Sequence, residues 1–238
     1  MEQNPGKANL ISWWKFDETS GTRYDAHGTN HLTDVNTVLY QLGKIGNAAD
    51  FESANNEYLE IADNPSLSFG DENMTIGVWV KLESFASNSQ ILGKWEVDKH
   101  EYRIDITVTT GIPRFMVRGG ATEHIVSWGA GLSLATWYFV TAWHDSVNDL
   151  IGICVNNGTP VTVAHSTGIS DNSSVFRSGA LSSGSGNYDG LIDEAFLYRR
   201  LLTADERTWL YNGGSGRTYE ELEVIGVAGV FLSDYGVM

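Results

Sequence analysis

A single cysteine, Cys154, in 238 residues rules out an intrachain disulfide and any cysteine-based metal cluster. Its setting in LIGICV reads as a small buried hydrophobe rather than a reactive thiol. Basic residues are scarce too: 15 Lys and Arg stand against 30 Asp and Glu, a net charge of −15. Such a chain repels phosphate backbones and anionic bilayers, so no nucleic-acid partner is expected. No apolar run approaches the roughly 20 residues of a spanning helix, so no membrane insertion is expected either. The opening MEQNPGKANLISWW lacks a basic segment followed by an apolar core, which predicts a soluble protein without a Sec-type signal peptide. There is no HExxH, no Gly-x-Ser-x-Gly elbow and no phosphate loop ending in Gly-Lys-Ser/Thr. The six histidines are scattered, with no close pair, and read as surface or turn residues. Asn-x-Ser/Thr sequons begin at Asn73, Asn157 and Asn172; without a secretory signal they read as accidental.

What the chain does contain is short runs of alternating polarity, separated by clusters of Gly, Asn, Asp and Ser. Met74, Ile76, Val78, Val80 and Leu82 share one face of a strand; Thr75, Gly77, Trp79 and Lys81 share the other. Tyr102, Ile104, Ile106 and Val108 alternate in the same way with Arg103, Asp105 and Thr107. Further strands are expected at 10–16, 58–61, 90–95, 114–117, 137–143, 150–155, 161–164 and 191–198. Asn157-Gly158 suits the positive φ angles of a tight hairpin between two of them. The 26 glycines and four prolines fit many reversals with few interrupted ladders. The expected class is all-β, a two-sheet antiparallel β-sandwich with one short C-terminal helix. That helix is placed at 204–211, where Thr203 and Glu206 have capping-box spacing and Asn212-Gly213-Gly214 stops it.

Several segments, in order, resemble laminin-G-like jelly-roll domains of the concanavalin A-like kind. ISWWKFDETSG with YDAHGTNHL resembles their opening strand and loop, and GKIGNAADFESANNEYLEI their next hairpin. NPSLSFGDENMTIGVWVKL resembles the central strand, WYFVTAWHD and IGICVNNG the later ones, and GLIDEAFLYRRLLTADERTWLYNGG the closing strand and helix. The resemblance implies a jelly roll whose first and last strands lie side by side. It divides the chain into an N-terminal arm at 1–8, a domain at 9–214 and a tail at 215–238.

Glycosidases of this architecture carry paired carboxylates roughly 5–5.5 Å apart. Asp193 and Glu194 are adjacent, so their side chains are expected on opposite faces. Glu101 and Asp105 on one face are about 13 Å apart, at roughly 3.3 Å per residue. Neither pair fits, and no catalysis is expected. The resemblance also implies a calcium ion, with Asp17, Asp25 and Asp193 as candidate ligands by position; the competing reading makes them turn and loop hydrogen-bond acceptors. Trp95, Trp128 and Trp143, near strand ends, are candidates for stacking on a sugar, against the reading that they fill the core.

Two functions stay open. One is a bacteriophage virion protein, of capsid-decoration or tail-fibre type, carrying an outward-facing lectin-like domain on the virion surface. In it the tail would dock on a capsid or tail partner through Val224, Ile225, Val230, Phe231 and Leu232 by completing a sheet edge. The other is a microbial carbohydrate-binding module or lectin that meets a cell-surface glycan, extracellular or cytoplasmic. A polysaccharide-active enzyme ranks below both, and either binding reading accommodates a homo-oligomer.

Overall fold

A computed structural model describes residues 2–85, 89–181 and 185–222. Along it run β1 (Leu10–Trp14), β2 (Thr33–Val35), β3 (Leu39–Leu42), β4 (Asn47–Phe51), β5 (Tyr58–Ile61), β6 (Met74–Leu82), β7 (Ser89–Glu96) and β8 (Lys99–Ile106). They are followed by β9 (Pro113–Gly119), β10 (Thr122–Ser127), β11 (Trp137–Asp145), β12 (Leu150–Val155), β13 (Val161–Ala164), β14 (Phe176–Ser178), β15 (Gly190–Tyr198) and α1 (Ala204–Tyr211). All paired strands are antiparallel and form two sheets. One has the order β13-β12-β11-β6-β15-β4-β3, the other β10-β9-β8-β7-β14-β5-β2. β1 joins the first sheet by pairing with β15, so the first and last strands lie side by side as the resemblance implied.

The alternation of β6 explains how the sheets stack. Met74, Ile76, Val78, Val80 and Leu82 all enter the core between the sheets, against Tyr102, Ile104 and Ile106 of β8. Val108 does not join them; β8 ends at Ile106 and Val108 is exposed in the following turn. The opposite face of β6 is covered as well. Trp79 lies in a second apolar cluster with Trp13, Phe139, Phe196, Tyr198, Leu202, Leu210 and Leu222. α1 caps this layer, its start fixed by the reciprocal Thr203–Glu206 bonds of 3.2 and 2.8 Å. Because Leu222 belongs to the cluster, the packed body extends past residue 214. The N-terminal arm lies on the same side, where Asn4 Nδ2 donates to the Glu221 carbonyl at 2.9 Å.

The β12–β13 hairpin turns differently from the sequence expectation. Asn156 and Asn157 hold the positive φ angles, 50° and 55°. Gly158 instead gives room for Trp128, whose ring would meet a Cβ there at 3.1 Å. Cys154 is buried, as its neighbours predicted.

Gly77 is the tightest point of the second cluster: it faces Phe196 across the ladder, and a Cβ would lie 2.1 Å from that ring. Gly77→Ala should therefore force Phe196 aside and destabilise the protein by about 1–3 kcal/mol. Urea unfolding of the variant measures this; an unchanged midpoint would refute the packing argument.

Candidate functional site

The outward face of the seven-stranded sheet is polar and rich in arginine. Alternation places Arg103 and Asp105 of β8 on this face, beside Arg114, Met116 and Arg118 of β9. Arg114 grips Asp105 with two bonds of 2.8 Å, and Arg103 reaches the same carboxylate at 3.0 Å. Arg177 of β14 bridges Glu60 and Glu96 at 2.8 and 2.9 Å. Trp95 lies within this layer: its ring stacks on His100 at 4.3 Å, and the Arg103 guanidinium sits 4.7 Å from its centroid.

Where this sheet ends, the β7–β8 turn, the β9–β10 turn and the loop 168–173 enclose a cleft of about 260 Å³. Its walls are Asp98, His100, Arg118, Gly120, Ser170 and Asn172. Asp98 and Gly120 shape the two turns with left-handed φ of 65° and 58°. The loop is tied on by the Ser170 amide donating to the Arg118 carbonyl (2.6 Å) and Asn172 Nδ2 donating to the His100 carbonyl (3.0 Å). Glu123 Oε1 accepts from both His100 Nδ1 and Arg118 Nη1, at 2.9 and 3.2 Å. The Arg118 side chain stays 30% exposed. The cleft thus presents fixed donors and acceptors, a combination that recognises hydroxyl groups. Asp98 is the one carboxylate among these lining residues, whereas glycosidic hydrolysis needs two.

The three tryptophans named as sugar platforms differ in their settings. Trp95 and Trp143 are only 4% and 8% exposed, so neither presents the open indole expected of it. Trp143 fills the space over Gly152 and lies beneath the Arg207 guanidinium at 4.7 Å. Trp128 is half-buried against the core.

Each of the three calcium candidates accepts backbone amides, and Asp193 Oδ1 is buried without a donor. Asp25 Oδ1 accepts the Trp13 and His27 amides at 3.0 Å each, and Oδ2 accepts the Asn30 amide at 3.1 Å, so it staples a turn. Asp17 Oδ1 accepts the Asn47 amide at 3.0 Å. Asp193 Oδ2 accepts the Lys44 and Ile45 amides at 2.7 and 3.0 Å. Among the described residues, the acids whose ligand oxygens converge within 4.8 Å are instead Asp50, Glu52 and Glu83. Their sequence signal is Asp50-Phe51-Glu52, two acids at alternate positions of one extended segment. The docking residues Val224, Ile225, Val230, Phe231 and Leu232 lie outside the described residues.

Two other expectations need correction. Asp193 and Glu194 do not point apart: the β15 ladder slips between Asp193 and Phe196, and Glu194 takes a φ of +45°. The bulge turns both acids to the outer face, where Glu194 accepts from the Trp13 indole. Both are buried: burial pushes Asp193 up to about 8, and burial followed by the charge of Asp193 pushes Glu194 up to about 9. Glu101 is likewise a bulge residue of β8, sealed against buried Lys94 at 2.9 Å rather than facing outward with Asp105. The histidines are not all peripheral: His144 and His165 are buried, and His165 packs edge-on against His144 and His124, with centroids at 5.1 and 4.5 Å. Burial, then the neighbouring imidazoles, lower His165 to about 4.

The family model for the concanavalin A-like lectin/glucanases superfamily matches residues 53–206. No curated protein matches the chain. Among solved structures, the binding domain of Paraclostridial Mosquitocidal Protein 1 superposes with a TM-score of 0.71 at 14% identity, over 87% of this chain and 53% of that one. Domain 4 of AbnA, a GH43 extracellular arabinanase from Geobacillus stearothermophilus solved with arabinotriose, gives 0.67 at 16% identity, over 88% and 98%. Botulinum neurotoxin type C, whose cell entry depends on two ganglioside molecules, gives 0.64 at 14% identity, over 87% and 51%. The chain therefore spans about half the length of the two toxin chains. At these identities the likeness is one of fold.

The buried acids of β15 give a signed pH dependence. Their folded values lie above the ordinary carboxylate range, so their stability contribution is complete below about pH 4 and is lost as pH rises toward 8 and 9. The acids with lowered values, such as Asp145 and Glu220, have finished titrating below that window. The melting temperature should fall between about pH 5 and about pH 9, and Glu194→Gln should flatten the fall. A flat profile in the parent protein would contradict the burial of this pair.

Proposed function

We propose that this chain, which belongs to the concanavalin A-like lectin/glucanases superfamily, is a non-catalytic module that binds a glycan in the cleft at the start of β8 and the end of β9. The carrying observation is the arrangement of Asp98, His100, Arg118, Ser170 and Asn172 around one pre-tied cavity, continuous with the arginine-rich sheet face. Hydroxyl pairs of a sugar match a guanidinium and a carboxylate presented together. AbnA domain 4 with arabinotriose, and the ganglioside dependence of the type C neurotoxin, support a saccharide over other ligands of this size. Among the cleft's lining residues the solitary carboxylate favours binding over turnover.

A glycan array followed by calorimetry tests this. The protein should retain at least one oligosaccharide, and Arg118→Ala or Asp98→Asn should weaken it about tenfold or more, the loss of one charged hydrogen bond. Trp128→Ala should leave affinity unchanged. An empty array, or variants that bind like the parent, would defeat the assignment.

A second reading concerns where the module is displayed, and the opposed faces of the sandwich favour it. The cleft belongs to the seven-stranded sheet, whereas Leu222 and the N-terminal arm pack on the outer face of the eight-stranded one. We infer a module held by residues 223–238 on a virion, as a decoration or tail-fibre domain, with the cleft turned outward. A chain ended after Leu222 should keep its melting temperature and lose association with particles. Undiminished association of that truncated chain would reject the attachment.

A further inference from the structure

The ends of β4, β15 and β6 run side by side and gather acids on the outer face of the eight-stranded sheet. Asp50 and Glu52 are two residues apart on one extended segment, so they share that face. Asp50 lies opposite Leu191 of β15, and Leu191 opposite Lys81 of β6. One step further along, the Glu83 amide donates to the Asp189 carbonyl at 2.9 Å, continuing the same ladder. The longer Glu52 and Glu83 side chains converge across β15 toward Asp50, until one oxygen of each acid lies within 4.8 Å of the others.

Asp50 marks this group as more than a patch of solvated charge. It is only 8% exposed; its Oδ2 accepts from Gln41 Nε2 at 2.9 Å, while its Oδ1 is sealed from solvent and meets no donor. A carboxylate oxygen withdrawn from water without a donor is destabilising unless a cation compensates it. Among the described residues no lysine or arginine is paired with Asp50. Lys81 acts on Glu83 only through space, and its Nζ lies 5.9 Å from the Trp137 ring centroid. Asp189 adds negative charge nearby, although its Oδ1 is already taken by the Ser53 amide at 3.0 Å. Burial, followed by the charges of Asp50 and Asp189, raises the pKa of both Glu52 and Glu83.

We propose that Asp50, Glu52 and Glu83 bind one divalent cation of the calcium class. Carboxylate oxygens that close together suit a hard ion ligated at roughly 2.3–2.6 Å, with water filling its remaining positions. The exposed glutamates leave the site open to solvent, which sets an affinity in the range of extracellular calcium modules, about 0.1–1 mM. Magnesium, which needs a tighter octahedron and sheds water reluctantly, binds more weakly here. The ion joins β4 to β6 across β15, a site separate from the glycan cleft on the other sheet.

Calorimetry and thermal melts of the chelator-treated full chain with CaCl₂ test the assignment. One site is expected, with the melting temperature rising by roughly 5 °C or more near saturation. Glu52→Gln and Glu83→Gln, both at exposed positions, should each remove most of that rise while leaving the metal-free melt intact or raised. Asp193→Asn should keep the response, since it lies outside the site. Absence of both heat and melting shift at about 10 mM calcium would overturn the proposal, being well above the expected affinity. So would a response that survives in Glu83→Gln but vanishes in Asp193→Asn. Polysaccharide turnover abolished by Glu52→Gln would also overturn it, by giving these acids to catalysis.

Discussion

The architecture depends on the hydrogen-bonded ladder of β15. One edge of this strand pairs with β6 along nearly its whole length; the other is divided between β4, at residues 190–192, and β1, at residues 195–198. A strand so enclosed has no exposed backbone, and every residue of it is buried. Its inward side chains, Ile192, Ala195 and Leu197, belong to the core between the sheets, while Phe196 and Tyr198 belong to the layer beneath α1. The change of partner along one edge coincides with the bulge at Asp193–Glu194. That bulge keeps the apolar residues before and after it in phase with both layers. The cost is two acids buried on the covered outer face, partnered by the Lys44 and Ile45 amides and by the Trp13 indole.

The two sheets consequently have different roles. The eight-stranded sheet is covered on both faces at its centre, where the second apolar cluster, with Leu202, Leu210 and Leu222, packs on the outer side of β6, β11 and β15. The seven-stranded sheet keeps a solvated face whose charges are mutually paired, as in the Asp105–Arg114 and Arg177–Glu96 contacts. Charge-paired arginines on a rigid ladder lose little freedom when a ligand arrives, which is why a binding site is better supported there than on a mobile loop.

Much of this was legible in the chain because long strands leave a clear two-residue period. β6, β12 and β13 match their expected limits, and the Thr203–Glu206 cap marked the helix start. Three-residue strands such as β2 and β14 are too short for a period to emerge, and they form only because β5 and β7 supply partners. Alternation itself failed at the bulges. One extra residue reverses the facing of everything after it, so Glu194 and Glu101 were assigned to the wrong side. The cleft was not legible, since Asp98, Arg118 and Asn172 come from a turn, a strand end and a loop far apart in sequence. His124, His144 and His165 are likewise far apart in sequence, and meet only because the sheets approach each other near β10, β12 and β13.

The pairing of β1 with β15 also bears on how the molecule is made. Leu10 lies opposite Tyr198, so β1 gains its ladder partner only after the intervening residues of the domain have been made. Loop closure of that span comes late and is slow, as for other topologies dominated by distant contacts. Until then Trp13 lacks Phe196, on which its ring stacks, and Trp14 lacks Phe176, so two large apolar surfaces wait on the last strands of the sandwich.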